Sequence, residues 1–102
     1  MKRVLYAALA SGLLALTSYS HAQTDPLQVR SWAAGCANCH GTNGSAEKGM
    51  PPLAGKNKND MTEKLLAYKS GEAQSTIMQQ LVKGYSDEQL SAIAGYFSTQ
   101  KK

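Results

Sequence analysis

The stretch Cys36-Ala37-Asn38-Cys39-His40 decides how this chain folds, because it places both cysteines of the 102-residue sequence beside a histidine. On a helical turn, residues three apart lie on the same side, so the sulfur atoms of Cys36 and Cys39 face the same way. A disulfide between them would close too short a loop to restrain much of the unfolded chain. The stretch therefore predicts the attachment of another group to the chain.

Two thiols followed directly by an imidazole at this spacing form the attachment signal of a c-type haem. Cys36 and Cys39 would bond the two vinyl groups on one porphyrin edge, and His40 would be the proximal ligand of the iron. Two alternatives use the same residues. A thioredoxin-like dithiol requires a preceding strand in a βαβ unit, and a structural zinc site requires a fourth strong ligand. No strand pattern is visible, and His21, the other histidine, lies in the N-terminal segment that is expected to be removed. We therefore predict one haem c, covalently bound and containing iron.

The first 22 residues have the layout of a secretory signal peptide. Lys2 and Arg3 precede an apolar run over residues 4–16, and Ser20 and Ala22 are the small residues that signal peptidase recognises. The apolar run is shorter than the roughly 18 residues that would indicate a membrane span, although an uncleaved anchor remains the alternative. We predict cleavage after Ala22, one domain over residues 23–102, and a periplasmic protein with no membrane span.

The charge balance argues against a nucleic-acid partner. The sequence has 11 Lys and Arg against 7 Asp and Glu, and removal of Lys2 and Arg3 would leave nine basic residues against seven acidic ones. No basic stripe with interleaved aromatics is present, so no nucleic acid is expected to bind. A domain of this size builds only a marginal hydrophobic core alone, and a large apolar haem would add to it.

Local signals predict four helices and no strand. Asp25 and Pro26 form an N-cap and a first helical position, and capping-box patterns stand at Asp60 with Glu63 and at Ser86 with Gln89. The predicted helices are one from Pro26 into the cysteine motif, one from Met61 to about Ser70, a short one over 76–83, and one from Asp87 to about Gln100. The last helix carries one apolar stripe of Leu90, Ile93, Ala94 and Phe97.

A long irregular segment separates the first two predicted helices. Between His40 and Asn59, four glycines and two prolines interrupt the chain too often for a regular element. A loop of this length in so small a domain usually carries a function or wraps around a bound group. The sequence therefore predicts an all-α fold with a loop that wraps the haem.

A second axial ligand is expected, because an iron that only transfers electrons normally has its sixth position filled, most often by methionine. Met50 follows His40 by a short path, and Met61 opens a helix whose inner face is expected to pack as core. Met78 has enough chain before it to reach the opposite face of the ring. Each of the three could instead fill the core. We favour Met78 and leave the other two open.

These residues resemble the class I cytochrome c family over most of the predicted domain. The similarity is tightest to the single-haem domains of dihaem cytochromes and to the cytochrome subunit of flavocytochrome c sulfide dehydrogenase. The strings that carry it are Cys36-Ala37-Asn38-Cys39-His40-Gly41, Pro51-Pro52-Leu53-Ala54-Gly55, Tyr68-Lys69-Ser70-Gly71-Glu72, Ile77-Met78, Gly84-Tyr85-Ser86-Asp87-Glu88 and Ala94-Gly95-Tyr96-Phe97. The resemblance implies the small class I fold, with four helices around one covalently bound haem.

The resemblance also implies a role for particular residues. Cys36 and Cys39 match the thioether positions, His40 the proximal ligand, and Met78 the axial methionine. Pro51 matches the residue whose carbonyl accepts a hydrogen bond from the proximal histidine ring, a contact that fixes the tautomer and raises ligand basicity.

The terminal helix has a counterpart in the family as well. Tyr96 and Phe97 match its aromatic pair, and this helix is expected to cross the first one at Ala33, Ala34 and Gly35.

The function that follows is electron transfer without an enzymatic reaction of its own. We predict a soluble periplasmic electron carrier whose partners are redox proteins acting as donor and acceptor, such as a flavoprotein dehydrogenase and a terminal oxidase or another cytochrome. The alternative is the electron-accepting cytochrome subunit of a complex like flavocytochrome c sulfide dehydrogenase. A ligand-binding sensor haem becomes attractive only if no methionine coordinates the iron.

Overall fold

The computed structural model describes residues 25–102, which form four α-helices and one short 3₁₀ turn. The elements are α1 (Pro26–His40), the 3₁₀ turn (Thr42–Gly44), α2 (Lys58–Ser70), α3 (Met78–Val82) and α4 (Asp87–Ser98). No strand occurs in this part of the chain. The all-α prediction is therefore confirmed, whereas the predicted signal peptide, residues 1–22, lies outside the described residues.

Helix α1 begins where the sequence predicts. The Asp25 side chain accepts a hydrogen bond from the Leu27 amide at 3.1 Å, and Pro26 occupies the first helical position. The helix continues through the cysteine motif to His40. It ends at Gly41, which has φ 84° and whose amide donates to the Ala37 carbonyl at 2.9 Å. The motif is thus the C-terminal end of a helix, which explains how its two cysteines share one side.

Helix α2 begins three residues before the predicted start. The prediction of a capping box at Asp60 and Glu63 is therefore wrong. Asn57 is the N-cap, and its side-chain oxygen accepts from the Asp60 amide at 3.1 Å. Asparagine and aspartate cap helices about equally well, and Asn57 and Asp60 stand three residues apart. Asp60 instead lies in the first turn, where its negative charge is attracted to the positive end of the helix dipole. The C-terminus agrees with the prediction, because Gly71 is left-handed at φ 87°.

The last two helices are shorter than predicted. Helix α3 covers Met78–Val82 and not 76–83: Ile77 is its N-cap, without a side-chain capping hydrogen bond, and Lys83 is its C-cap. Helix α4 ends at Ser98, two residues early, but both hydrogen bonds of its predicted capping box are present: Ser86 Oγ accepts from the Gln89 amide at 3.1 Å, and Gln89 Oε1 accepts from the Ser86 amide at 2.8 Å.

The core lies where α4 packs against α1 and α2. All four residues of the predicted apolar stripe on α4 are buried, and Phe97 and Ile93 form one cluster with Ala33 of α1. Burial of Ala33 confirms that the two helices meet at a small residue. Ala34 and Gly35, also expected at the crossing, remain exposed. Tight packing at Ala33 brings the end of α1, and the cysteine motif with it, to a fixed place beside α4.

Within residues 25–102, no helix is both long and apolar enough to cross a bilayer.

Candidate functional site

The two cysteines and the histidine lie together on the last turns of α1. Both thiols are free, with Cys36 half-buried and Cys39 exposed. His40 is the one charged or polar residue that is buried in the described core, at 9% exposure. An exposed thiol, a half-buried thiol and a buried imidazole at one helix end suit a group that lies against the protein surface and reaches inward to the histidine.

The His40 ring is oriented by the loop that follows it. Its Nδ1 lies 2.7 Å from the carbonyl oxygen of Pro51, eleven residues further along. A carbonyl can only accept, so Nδ1 carries the proton and Nε2 carries the free lone pair. This is the contact that the resemblance implies for Pro51. It leaves Nε2 as the one ring nitrogen able to bind a metal, and the hydrogen bond makes that nitrogen a stronger electron donor.

The Cys36 thiol lacks the character of a catalytic thiol. Burial raises the pKa of the Cys36 thiol, and the neighbouring Cys39 raises it further, while a backbone hydrogen bond at Cys36 acts in the opposite direction. A catalytic dithiol depends on a lowered pKa, because the thiolate is its nucleophile. The residues before the motif are helical and form no strand in the described range. Both observations argue against the thioredoxin-like alternative.

The three methionines left open by the sequence lie in different surroundings. Met61 is partly buried and packs against the Ala33–Ile93–Phe97 cluster. Met50 is 40% exposed and directly precedes Pro51, whose carbonyl contacts the His40 ring. Met78 is half-buried at the first position of α3. Core packing thus accounts for Met61, and Met50 stands next to the residue that contacts the His40 ring. Met78 stays the predicted sixth ligand.

The donor set and the surrounding surface fit a haem. Two free thiols on one side and an imidazole with an available Nε2 match the two vinyl groups and the iron. None of the residues of α2, within the described chain, is fully buried, although Met61, Leu65 and Leu66 are apolar. Ile77, directly before Met78, is 53% exposed, and Leu81, three residues after it, is 46% exposed. A large, mostly apolar ring would cover such half-buried and exposed apolar side chains, which a core of this size does not cover alone.

The structure also shows a contact point that sequence reasoning missed. Gly44 is buried, and its carbonyl accepts hydrogen bonds from the amides of Leu53 at 2.9 Å and Ala54 at 3.2 Å. These bonds close the part of the loop that carries Pro51. In the sequence, Gly44 is one of several glycines in an irregular segment, and no local signal distinguishes it from the others.

Comparison with known proteins gives consistent matches. A family model for cytochrome c matches residues 29–101. The chain is similar to the cytochrome subunit of sulfide dehydrogenase from Chlorobaculum tepidum, with 37% identity over 67 residues that cover 66% of this chain and 61% of that protein. It is similar to cytochrome c4 from Pseudomonas aeruginosa, with 33% identity over 102 residues that cover 99% of this chain and 50% of that protein. The chain thus spans only half to three-fifths of the length of these two relatives.

A shorter relative matches from end to end. Cytochrome c-553 from Helicobacter pylori is 37% identical over 108 residues, which cover 99% of this chain and 100% of that protein.

Proposed function

Since this chain belongs to the cytochrome c family, we propose that it is a periplasmic carrier of single electrons that uses one haem c ligated by His40 and Met78. Electron transfer is the function of the family, and haem c, bound covalently and containing iron, is its cofactor. Such proteins transfer electrons and are not enzymes themselves. The number of haems, the ligand set and the role as a free carrier are the parts that we propose.

The observation that carries the proposal is the hydrogen bond from His40 Nδ1 to the Pro51 carbonyl. At 2.7 Å it holds the ring in the tautomer whose Nε2 can bind iron. Cys36 and Cys39, one turn earlier on the same helix, are the proposed attachment points. Each thiol would add its S–H across a vinyl double bond, so that the attachment would consume no other reactant. The helix end would therefore supply both covalent attachment points and one ligand of the iron.

Met78 is the proposed second axial ligand. It starts α3, and the segment before it is fixed by two hydrogen bonds of Gln79, from its amide to Ser75 Oγ at 3.1 Å and from its side chain to the Ala73 carbonyl at 2.9 Å. A ligand held by an ordered segment keeps its place in both oxidation states. A thioether is a soft donor that favours Fe(II), so a relatively high reduction potential is expected.

When bound, a haem would supply one-electron redox chemistry. His40 and Met78 would hold its iron, and the half-buried and exposed apolar side chains around them would cover it. Localisation in the periplasm rests on the predicted signal peptide and on the export that haem attachment requires.

Mass and colour of the exported protein test this proposal. We expect a mass equal to residues 23–102 plus one haem, and a red colour that stays with the protein after denaturation and solvent extraction. In Cys36→Ala/Cys39→Ala the colour should be extractable or absent. Asn38→Ala, which changes an exposed position between the cysteines, is the matched control and should retain its haem. A colourless wild-type protein with the mass of the bare chain would refute the proposal.

A second candidate function is favoured by similarity to the Chlorobaculum tepidum cytochrome subunit of sulfide dehydrogenase. In this case the chain would accept electrons from a catalytic flavoprotein in a stable complex. Purification of the tagged protein from its own periplasm, followed by size-exclusion chromatography with light scattering, separates the two. A monomer supports the free carrier, whereas a stoichiometric complex with a flavin-containing subunit supports the second candidate.

A further inference from the structure

The loop that presents the Pro51 carbonyl to His40 is closed on itself. Gly44 and the pair Leu53–Ala54 are joined by two hydrogen bonds on either side of Pro51, so the intervening residues form a tied loop. We call residues 44–54 the proximal loop. Pro51 belongs to this loop, and its carbonyl oxygen lies 2.7 Å from His40 Nδ1. The geometry of that contact therefore depends on where the loop is held.

The proximal loop and the residue directly after it, Gly55, meet α4 at two points. The Gly55 amide donates to the Phe97 carbonyl at 2.9 Å, and Gly44 lies so close to the Phe97 ring that a Cβ added there would be 2.8 Å from Phe97 Cδ1. Phe97 is 1% exposed and belongs to the core cluster. The loop is therefore fixed to a fully buried residue of the core.

A third attachment joins Tyr96 to the residue before the loop. The Tyr96 hydroxyl donates to Asn43 Oδ1 at 2.7 Å, across 53 positions of sequence. Asn43 has φ 54°, and within the described residues it is the one non-glycine in the left-handed region. Asparagine tolerates that region, but a residue there needs support from its surroundings. The hydrogen bond from Tyr96 provides it.

Tyr96 and Phe97 act as a pair. Their ring centroids lie 5.3 Å apart at an interplanar angle of 81°, an edge-to-face arrangement that restricts both rings. Phe97 is held by the core, and Tyr96 extends from it to the exposed surface beside Asn43. One end of α4 thereby holds the loop that orients the histidine.

We infer that Tyr96, through its hydrogen bond to Asn43, is a positioning residue for His40 that sets how firmly the Pro51 carbonyl holds the histidine ring. The inference rests on the proposed function, because it matters for electron transfer only if His40 binds the iron. A firmly held Nδ1–H···O bond makes the imidazole a stronger donor, which favours Fe(III). Loosening the loop weakens this donation, so the reduction potential rises.

The test compares holoprotein variants by two measurements that do not depend on a partner. Exchange of the His40 Nδ1 proton, followed by NMR in the ferrous protein, reports how often the bond to Pro51 opens. The midpoint potential reports the effect on the iron. In Tyr96→Phe we expect proton exchange to be about fivefold faster, as for loss of one ordinary hydrogen bond, together with a higher potential.

Two further variants give the comparison its controls. Asn43→Gly removes the acceptor and suits the left-handed backbone, so it should reproduce the effect, and the double variant should add little to either single one. Ser98→Ala removes a hydroxyl whose hydrogen bond, to the Gly95 carbonyl at 2.8 Å, stays within α4, and it should change neither measurement.

Three results would overturn the inference. The first is a Tyr96→Phe variant in which proton exchange and midpoint potential are both unchanged. The second is a Ser98→Ala variant that changes them as much as Tyr96→Phe does. The third is a Tyr96→Phe variant that lowers only the free energy of unfolding. Failure of the proposed function is distinguishable, because a wild-type spectrum without histidine ligation would refute that proposal before any variant is compared.

Discussion

Replacing Met78 with alanine should abolish the weak long-wavelength absorption band that a bond between ferric iron and a methionine sulfur produces. The reduction potential should fall by roughly 0.1–0.3 V, a fraction of the roughly 0.8 V range that axial ligands control. The reason is that a soft thioether favours Fe(II), and water or a harder ligand in its place favours Fe(III). Optical spectra of the oxidised protein and a redox titration measure both effects.

The other two methionines provide matched controls. Met50 is 40% exposed and lies beside Pro51, so Met50→Ala should leave the band, the potential and the stability unchanged. Met61 packs against the core cluster, so Met61→Ala should lower stability by about 2 kcal/mol or more and retain the band. If the band survives Met78→Ala, our ligand assignment is wrong, and loss of the band in one of the controls would identify the actual ligand.

The second large effect is expected at Gly44. Its φ is 81°, and an added Cβ would lie 2.8 Å from both the Ala54 amide nitrogen and the Phe97 ring. A side chain there is strained by the left-handed backbone and collides with neighbours that cannot move easily. The two costs, each about 1–3 kcal/mol, should lower the free energy of unfolding by about 3 kcal/mol or more in Gly44→Ala. Urea unfolding of the holoprotein, followed by circular dichroism, measures this loss.

Gly49 is the matched control in the same loop. It also has a positive φ, 95°, but an added Cβ would meet nothing within 4 Å. Gly49→Ala should therefore cost only the backbone strain, about 1 kcal/mol. Equal losses in the two variants would show that the contacts of Gly44 with Ala54 and Phe97 contribute nothing to stability.

The parts of the fold that depend on neighbouring residues could be predicted from the sequence. Asp25 and Pro26 start α1, and Ser86 with Gln89 starts α4, because a cap is satisfied within one turn. The start of α2 shows where this approach fails. Asn57 and Asp60 are both competent caps at the required spacing, and local chemistry does not rank them. The family resemblance added the contact between His40 and Pro51, which spacing alone does not imply.

The sequence by itself determined that the chain is helical, which residues of α4 face the core, and that two thiols and an imidazole share one helix end. Only the tertiary structure decided how the loop is held: Gly44 lies against Phe97, and Tyr96 bonds Asn43 across 53 positions. The physical reason is the range of the interactions. Helix caps and apolar periodicity act within a few residues, whereas the loop is fixed by distant groups that meet only after α1 and α4 have packed together.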